Sequence, residues 1–159
     1  MWNMRFDHHS PPIGEASGCS VWYSATSLIG AVSEAFGDQE FLDLDSGKRV
    51  CFVKLRRSLV VLDLVGVAAR AFNLDQRIGT DRNYEISQAW ARAFYSSYPE
   101  IQGIRWRGRQ SGSICVVLND RVEMRNSLKL SIDRDIDDPV VSARITRAAY
   151  RAKVPILAQ

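Results

Sequence analysis

The sequence predicts a mixed α+β domain in which a small sheet is flanked by helices, and three observations carry that expectation. A β-prone run, Val21-Trp22-Tyr23, leads directly into a helix-start signal at Thr26 or Ser27. Apolar residues at three- and four-residue spacing mark a helix around residues 86–94. Three short strand-like stretches, Gly103 to Trp106, Ile114 to Leu118 and Leu128 to Ile132, follow one another in the second half. A chain of 159 residues, 46% of them hydrophobic, can bury one core unaided, and no repeat, low-complexity tract or long linker divides it. We therefore expect a single domain over residues 1–159.

Each element has a local reason. Pro11, Pro12, Gly14 and Gly18 punctuate the stretch from Phe6 to Gly18 too densely for a helix and suggest a surface loop. A helix capped by Thr26 or Ser27 should reach Phe36, where Gly37 stops it. Arg49 to Leu55 alternates imperfectly between apolar and polar residues, and Leu59 to Leu64 is a nearly continuous apolar run that suits a buried strand. Ile86, Ala89, Trp90, Ala93 and Phe94 form the stripe expected to be buried on the next helix, which Pro99 ends. Asp138 before Pro139 is a good start for a final helix over about 139–151.

Charge and cysteine usage narrow the function classes. A net charge of +3 and a pI near 8.9 suit an anionic small molecule without requiring a nucleic acid. Cys19, Cys51 and Cys115 lack the spacing of a zinc site or disulfide framework and read as reduced core thiols, so no metal is expected. His8 and His9 are adjacent and point opposite ways in extended chain, which does not favour a shared metal. No apolar leader region follows Met1, and no uncharged run approaches a membrane span, so a cytoplasmic location without membrane association is expected. Arg105, Arg107 and Arg109 around Trp106 admit two readings: a basic strand face that binds nucleic acid, or residues serving the fold or a ligand site. The modest overall charge favours the second. Neither the dinucleotide fingerprint nor the phosphate-binding Walker loop occurs in the sequence.

The first helix carries the most pointed signal. Leu28, Ile29, Val32, Ala35 and Phe36 share one arc, and Glu34 points away from it. Gly30 and Ser27 lie four and seven residues before Glu34 on the same ridge, leaving little side chain above it. A mid-helix glycine costs about 1 kcal/mol relative to alanine, and close approach of a ligand or another backbone is the usual compensation. Tyr23 ends the strand feeding this helix, a junction where α/β folds commonly place ligands.

Tyr23 to Ser27, with Glu34 eleven positions after Tyr23, resembles the central motif of RES-domain toxins, which belong to bacterial RES–Xre toxin–antitoxin systems. Arg5, Phe6, Asp7 and Pro11 resemble the family's preceding arginine–aromatic–proline stretch. Leu59 to Leu64, Gln88 to Ala93 and Gly103 to Leu118 resemble its later strand, glutamine-bearing helix and closing hairpin. The likeness runs from about residue 5 to 122. It implies an ADP-ribosyltransferase-like fold of the diphtheria-toxin type and an enzyme that cleaves the nicotinamide–ribose bond of NAD, by phosphorolysis or hydrolysis. NAD is then a substrate with inorganic phosphate as a candidate co-substrate, and no cofactor is implied. Glu34 and Tyr23 take the catalytic roles, and Arg5, Ser27, Gly30, Arg109 and Ser111 the substrate-binding ones.

The resemblance also implies an Xre-like antitoxin as partner, with nucleic acid reached only through it, and leaves a homodimer open. Two departures accompany it. Family members begin with a further strand bearing an arginine and an aromatic, which this sequence lacks, and Gly108 occupies the position of the family's serine, where Ser111 or Ser113 is the alternative. A non-catalytic remnant that binds an antitoxin or dimerises is therefore the rival expectation.

Overall fold

The computed structural model describes residues 4–9, 20–39 and 41–157. The chain is mixed α+β, with two small sheets and flanking helices. Strand β1 (Val21–Ala25) leads into α1 (Leu28–Phe36), then come β2 (Arg49–Leu55) and β3 (Val61–Asp63). Two short turns, α2 (Val67–Ala71) and a 3-10 turn at Gln76–Gly79, precede the long helix α3 (Tyr84–Ser97). Strands β4 (Gly103–Arg107) and β5 (Ile114–Asn119), the single turn α4 (Met124–Ser127), β6 (Leu128–Asp135) and α5 (Pro139–Ala152) complete the order.

The first sheet has the order β1-β5-β4-β3. β1 pairs antiparallel with β5, β5 with β4 likewise, and β3 lies parallel to β4 at the edge. β2 and β6 form a separate antiparallel ribbon with an irregularity between Phe52 and Val53. One face of the first sheet, through Leu62, Ile104, Trp106, Cys115 and Val117, packs with Phe6, Ala91, Phe94 and Tyr95. A second core joins Val32 and Phe36 of α1 to Ile145, Ala148 and Ala149 of α5, with Leu42 and Val154 closing it.

Local signals explain the starts of α1 and α5. Ser27 Oγ accepts a hydrogen bond from Gly30 N–H at 3.0 Å, and Asp138 Oδ1 one from Val140 N–H at 2.8 Å. Both satisfy amides that a helix leaves without an internal partner.

Three expectations need correction. The α3 helix forms, but Ile86 and Trp90 are exposed, whereas Ser87, Gln88, Ala91, Phe94 and Tyr95 are buried. The reason is long-range: Ser87 Oγ donates to the Arg5 carbonyl at 2.6 Å, and Gln88 Nε2 to the Met4 carbonyl at 2.9 Å. The helix turns polar side chains inward because the incoming segment presents main-chain acceptors there. The run from Leu59 to Leu64 yields an edge strand of only three residues, with Leu62 and Leu64 buried and Val60 exposed. Cys115 is a buried thiol as expected, but Cys51 is exposed on the ribbon. Cys19 and the punctuated stretch at 11–18 lie outside the described residues.

Candidate functional site

The site assembles where the side of α1 meets the hairpin between β4 and β5. That turn closes through Gly108 N–H to the Ser113 carbonyl at 2.8 Å and Gly112 N–H to the Gly108 carbonyl at 3.0 Å. Gly112 has φ +65°, a backbone conformation suited to glycine.

Glu34 leans from α1 onto this turn, and its Oε1 accepts the Gln110 N–H at 3.0 Å. The approach is so close that a Cβ on Gly108 would overlap Glu34 Oε1 and stand 2.7 Å from Glu34 Cδ and 2.9 Å from Cys115 Sγ. Glycine at 108 therefore permits this carboxylate position. The Cys115 thiol beneath is pushed up to about 12 by burial, with the charge of Glu34 adding to the effect.

The turn also carries Arg109, whose Nη2 donates to both Asp38 carboxylate oxygens, at 2.6 and 2.5 Å. Gln110 Nε2 donates to Asp38 Oδ1 at 2.6 Å. Asp38 follows Glu34 by four residues, so extending the ridge Ser27-Gly30-Glu34 by one step is the sequence signal that reaches it. Gln110 and Gly108 gave no comparable signal, because their role depends on the hairpin bringing main chain to α1.

Arg5 reaches the same neighbourhood from the N-terminal segment. Its guanidinium donates to the Asp81 carbonyl at 2.5 Å and lies 4.8 Å from the centre of the Tyr84 ring. Burial lowers its basicity, opposed by Tyr84 and reinforced by the positive charge of Arg109, while Glu34 and Asp81 favour the charged form. The charges of Glu34 and Arg109 thus both act on Arg5, while the Arg109 guanidinium itself is held by Asp38.

The other predicted residues make contacts within the fold. The Tyr23 hydroxyl accepts the Phe6 N–H at 2.9 Å and donates to Asp7 Oδ1 at 2.9 Å, tying the N-terminal segment to β1. Burial and the neighbouring Asp7 push its phenol far above the ordinary value, so it stays protonated. The ring meets Trp106 edge-on at 6.1 Å. Ser27 is the α1 cap, with its Oγ 3.5 Å from Ser113 Oγ. The ridge above Gly30 is not bare: a Cβ there would lie 2.6 Å from Ser113 Cβ. The second compensation considered for this glycine, another chain segment rather than a ligand, is the one present. Ser111 Oγ accepts the Ser113 N–H at 3.1 Å within the turn.

The arginine stripe is divided. Arg105 pairs with Asp63 at 3.0 Å, Arg107 donates to the Gly112 carbonyl at 3.3 Å, and Trp106 is buried against Phe6 and Tyr23. A buried indole offers no face on which a base could stack. Among the described residues no group of three His, Cys, Asp or Glu side chains could hold a metal ion. No helix among them is long and apolar enough to cross a membrane. A groove of about 820 Å³ runs along the opposite face of the first sheet, between it, α1 and the β2–β6 ribbon. It touches Tyr23, Ser27 and Arg105, but Glu34, Arg5 and Arg109 lie outside its lining.

Comparison with known proteins agrees with this architecture. No curated protein matches the chain. Among solved structures, a chain from the crystal structure of the M. tuberculosis MbcT-MbcA toxin-antitoxin complex is similar in fold, with a TM-score of 0.61 and 17% identity over 79% of this chain and 71% of that chain. The family model described as the RES domain matches residues 1–137, most of the chain, and the chain therefore belongs to the RES-domain family.

Proposed function

We propose that the chain is the toxin of a RES-type toxin–antitoxin pair and that it degrades NAD by cleaving the nicotinamide–ribose bond. The observation that carries this reading is the Glu34 carboxylate of a RES-family chain held on the β4–β5 turn by the Gln110 amide at 3.0 Å, with its charge favouring the protonated form of Arg5. Cleavage of that bond develops positive charge on the ribose, and a carboxylate held at the right place stabilises it. The Gln110 amide holds one Glu34 oxygen, which fixes the group before substrate arrives. Arg5, anchored by main chain and by Tyr84, supplies a positive charge suited to the pyrophosphate or to an attacking phosphate. Tyr23 acts through the orientation of Phe6 and Asp7, since its hydroxyl is engaged with both. The ADP-ribosyltransferase-like character of the fold, a cytoplasmic site of action and an Xre-like antitoxin as partner belong to the same proposal.

A second reading is a non-catalytic module that binds an antitoxin or a second copy. The engagement of the Tyr23 hydroxyl by Phe6 and Asp7 favours it. Incubating the purified protein with NAD, with and without inorganic phosphate, separates the two. Release of nicotinamide supports the enzyme, and its dependence on phosphate identifies the acceptor. No release under either condition leaves the module.

A further inference from the structure

The outer face of α5 is largely exposed, with the Arg144 guanidinium 5.6 Å from the centre of the Phe52 ring of β2. Its inner residues Val141, Ile145, Ala148 and Ala149 are buried. With 3.6 residues per turn, Val140, Ala143, Arg144, Arg147, Tyr150 and Arg151 fall within an arc of about 120° on the other side. Tyr150 is 82% exposed and Val140 67%, the two most exposed large hydrophobics among the described residues. The three arginines border a recess of about 270 Å³ that they share with Ser27, Leu28 and Ile29 at the start of α1. Arg49, Arg77, Arg105, Arg109 and Arg134 all pair with aspartates, whereas Arg144, Arg147 and Arg151 make no ion pair among the described residues. The helix also lies beyond residue 137, where the family match ends.

We propose that this face docks an acidic amphipathic helix of a partner protein. The spacing of Val140, Ala143, Arg147 and Tyr150 is that of a helix-packing seam, with small Ala143 allowing close approach and Arg144 and Arg151 flanking it. Unpaired arginines beside an exposed tyrosine and valine call for carboxylates alternating with apolar side chains. A nucleic-acid backbone fits less well, because it would run onto the exposed Asp135 and Asp137 at the head of the helix and leave Val140 uncovered. A second copy fits less well too. An antiparallel two-fold pair centred on Arg147 would set that arginine against its own mate at the axis and bring no carboxylate to the ridge. This inference does not rest on the NAD reading.

The test uses the full chain and a designed helical peptide with leucine at its seam positions and glutamate flanking them. A lysine version of the peptide and a short DNA duplex serve as comparators, all titrated at physiological salt by fluorescence anisotropy. The glutamate peptide is expected to bind, and to bind at least tenfold more weakly to R144Q/R147Q/R151Q and to Tyr150→Ala. The charge-reversed R144E/R147E/R151E is expected to prefer the lysine peptide. Tyr150 is exposed, so Tyr150→Ala should melt with the parent, and the Arg144 variants should melt only slightly lower through loss of the contact with Phe52. A loss smaller than tenfold in either variant overturns the proposal. So does tighter binding of the duplex with a steep salt slope, which would assign the face to nucleic acid. Self-association that the triple glutamine variant abolishes would assign it to a second copy and overturns the proposal as well.

Discussion

At the scale of single residues, the Glu34 carboxylate is set by what is missing at position 108. A Cβ there would overlap Glu34 Oε1 and also crowd Cys115 Sγ. Gly108→Ala should therefore displace the carboxylate from the Gln110 amide. We expect nicotinamide release to fall at least about tenfold while overpacking costs about 1 kcal/mol of stability. Turnover and a denaturant melt on the same protein check this; unchanged turnover would mean that the Glu34 position does not matter. Tyr23→Phe tests a different link. It removes the donor to Asp7 and the acceptor for Phe6 N–H, two bonds in a part-buried setting. A loss of about 1–3 kcal/mol is expected, since the groups left behind are poorly placed for water. A melt within a few tenths of the parent would show that the N-terminal segment is held by other contacts.

At the scale of elements, α1 and the hairpin are fitted together through Gly30 and Ser113. Intrinsic propensity favours Gly30→Ala by about 1 kcal/mol, but the new Cβ would lie 2.6 Å from Ser113 Cβ. Contact wins over propensity at that distance, so net destabilisation is expected. Ser113→Ala should not relieve it, because the Cβ remains, whereas Ser113→Gly should restore stability in the double variant. Equal melts for the two double variants would refute the fit. The same elements show what the sequence made legible. The starts of α1 and α5 were readable because Ser27 and Asp138 act on their own helices within three residues. The buried face of α3 was not, because Ser87 and Gln88 answer to the carbonyls of Arg5 and Met4, more than eighty positions away in each case. Tyr23, Glu34 and Arg5 stood out by spacing and by likeness to a family. The close fits of Gly108 to Glu34 and of Gly30 to Ser113 had no local signature, since each depends on where the hairpin lies.

At the scale of the whole molecule, stability should depend on pH through His8. Burial holds its imidazole below the ordinary value, opposed by Asp120, with Arg121 and His9 lowering it further and Asp7 raising it. The unfolded chain then binds a proton first, so stability falls as pH drops through the unfolded value of about 6.5 toward the folded one. Melts at pH 5 and pH 7.5 should differ more for the parent than for His8→Gln; equal differences would remove His8 as the cause.

The proposed enzyme rests on one carboxylate placed by a helix, a hairpin turn and a family frame. Glu34→Gln keeps size and helix propensity nearly level, while loss of charge removes several kcal/mol of transition-state stabilisation. The most direct measurement is paired: the rate of nicotinamide release from NAD and the melting temperature, for the parent and for Glu34→Gln. The account predicts a rate at least about a hundredfold lower at nearly unchanged melting temperature. A variant that keeps most of its rate would contradict it and return Glu34 to the role of an ordinary surface glutamate.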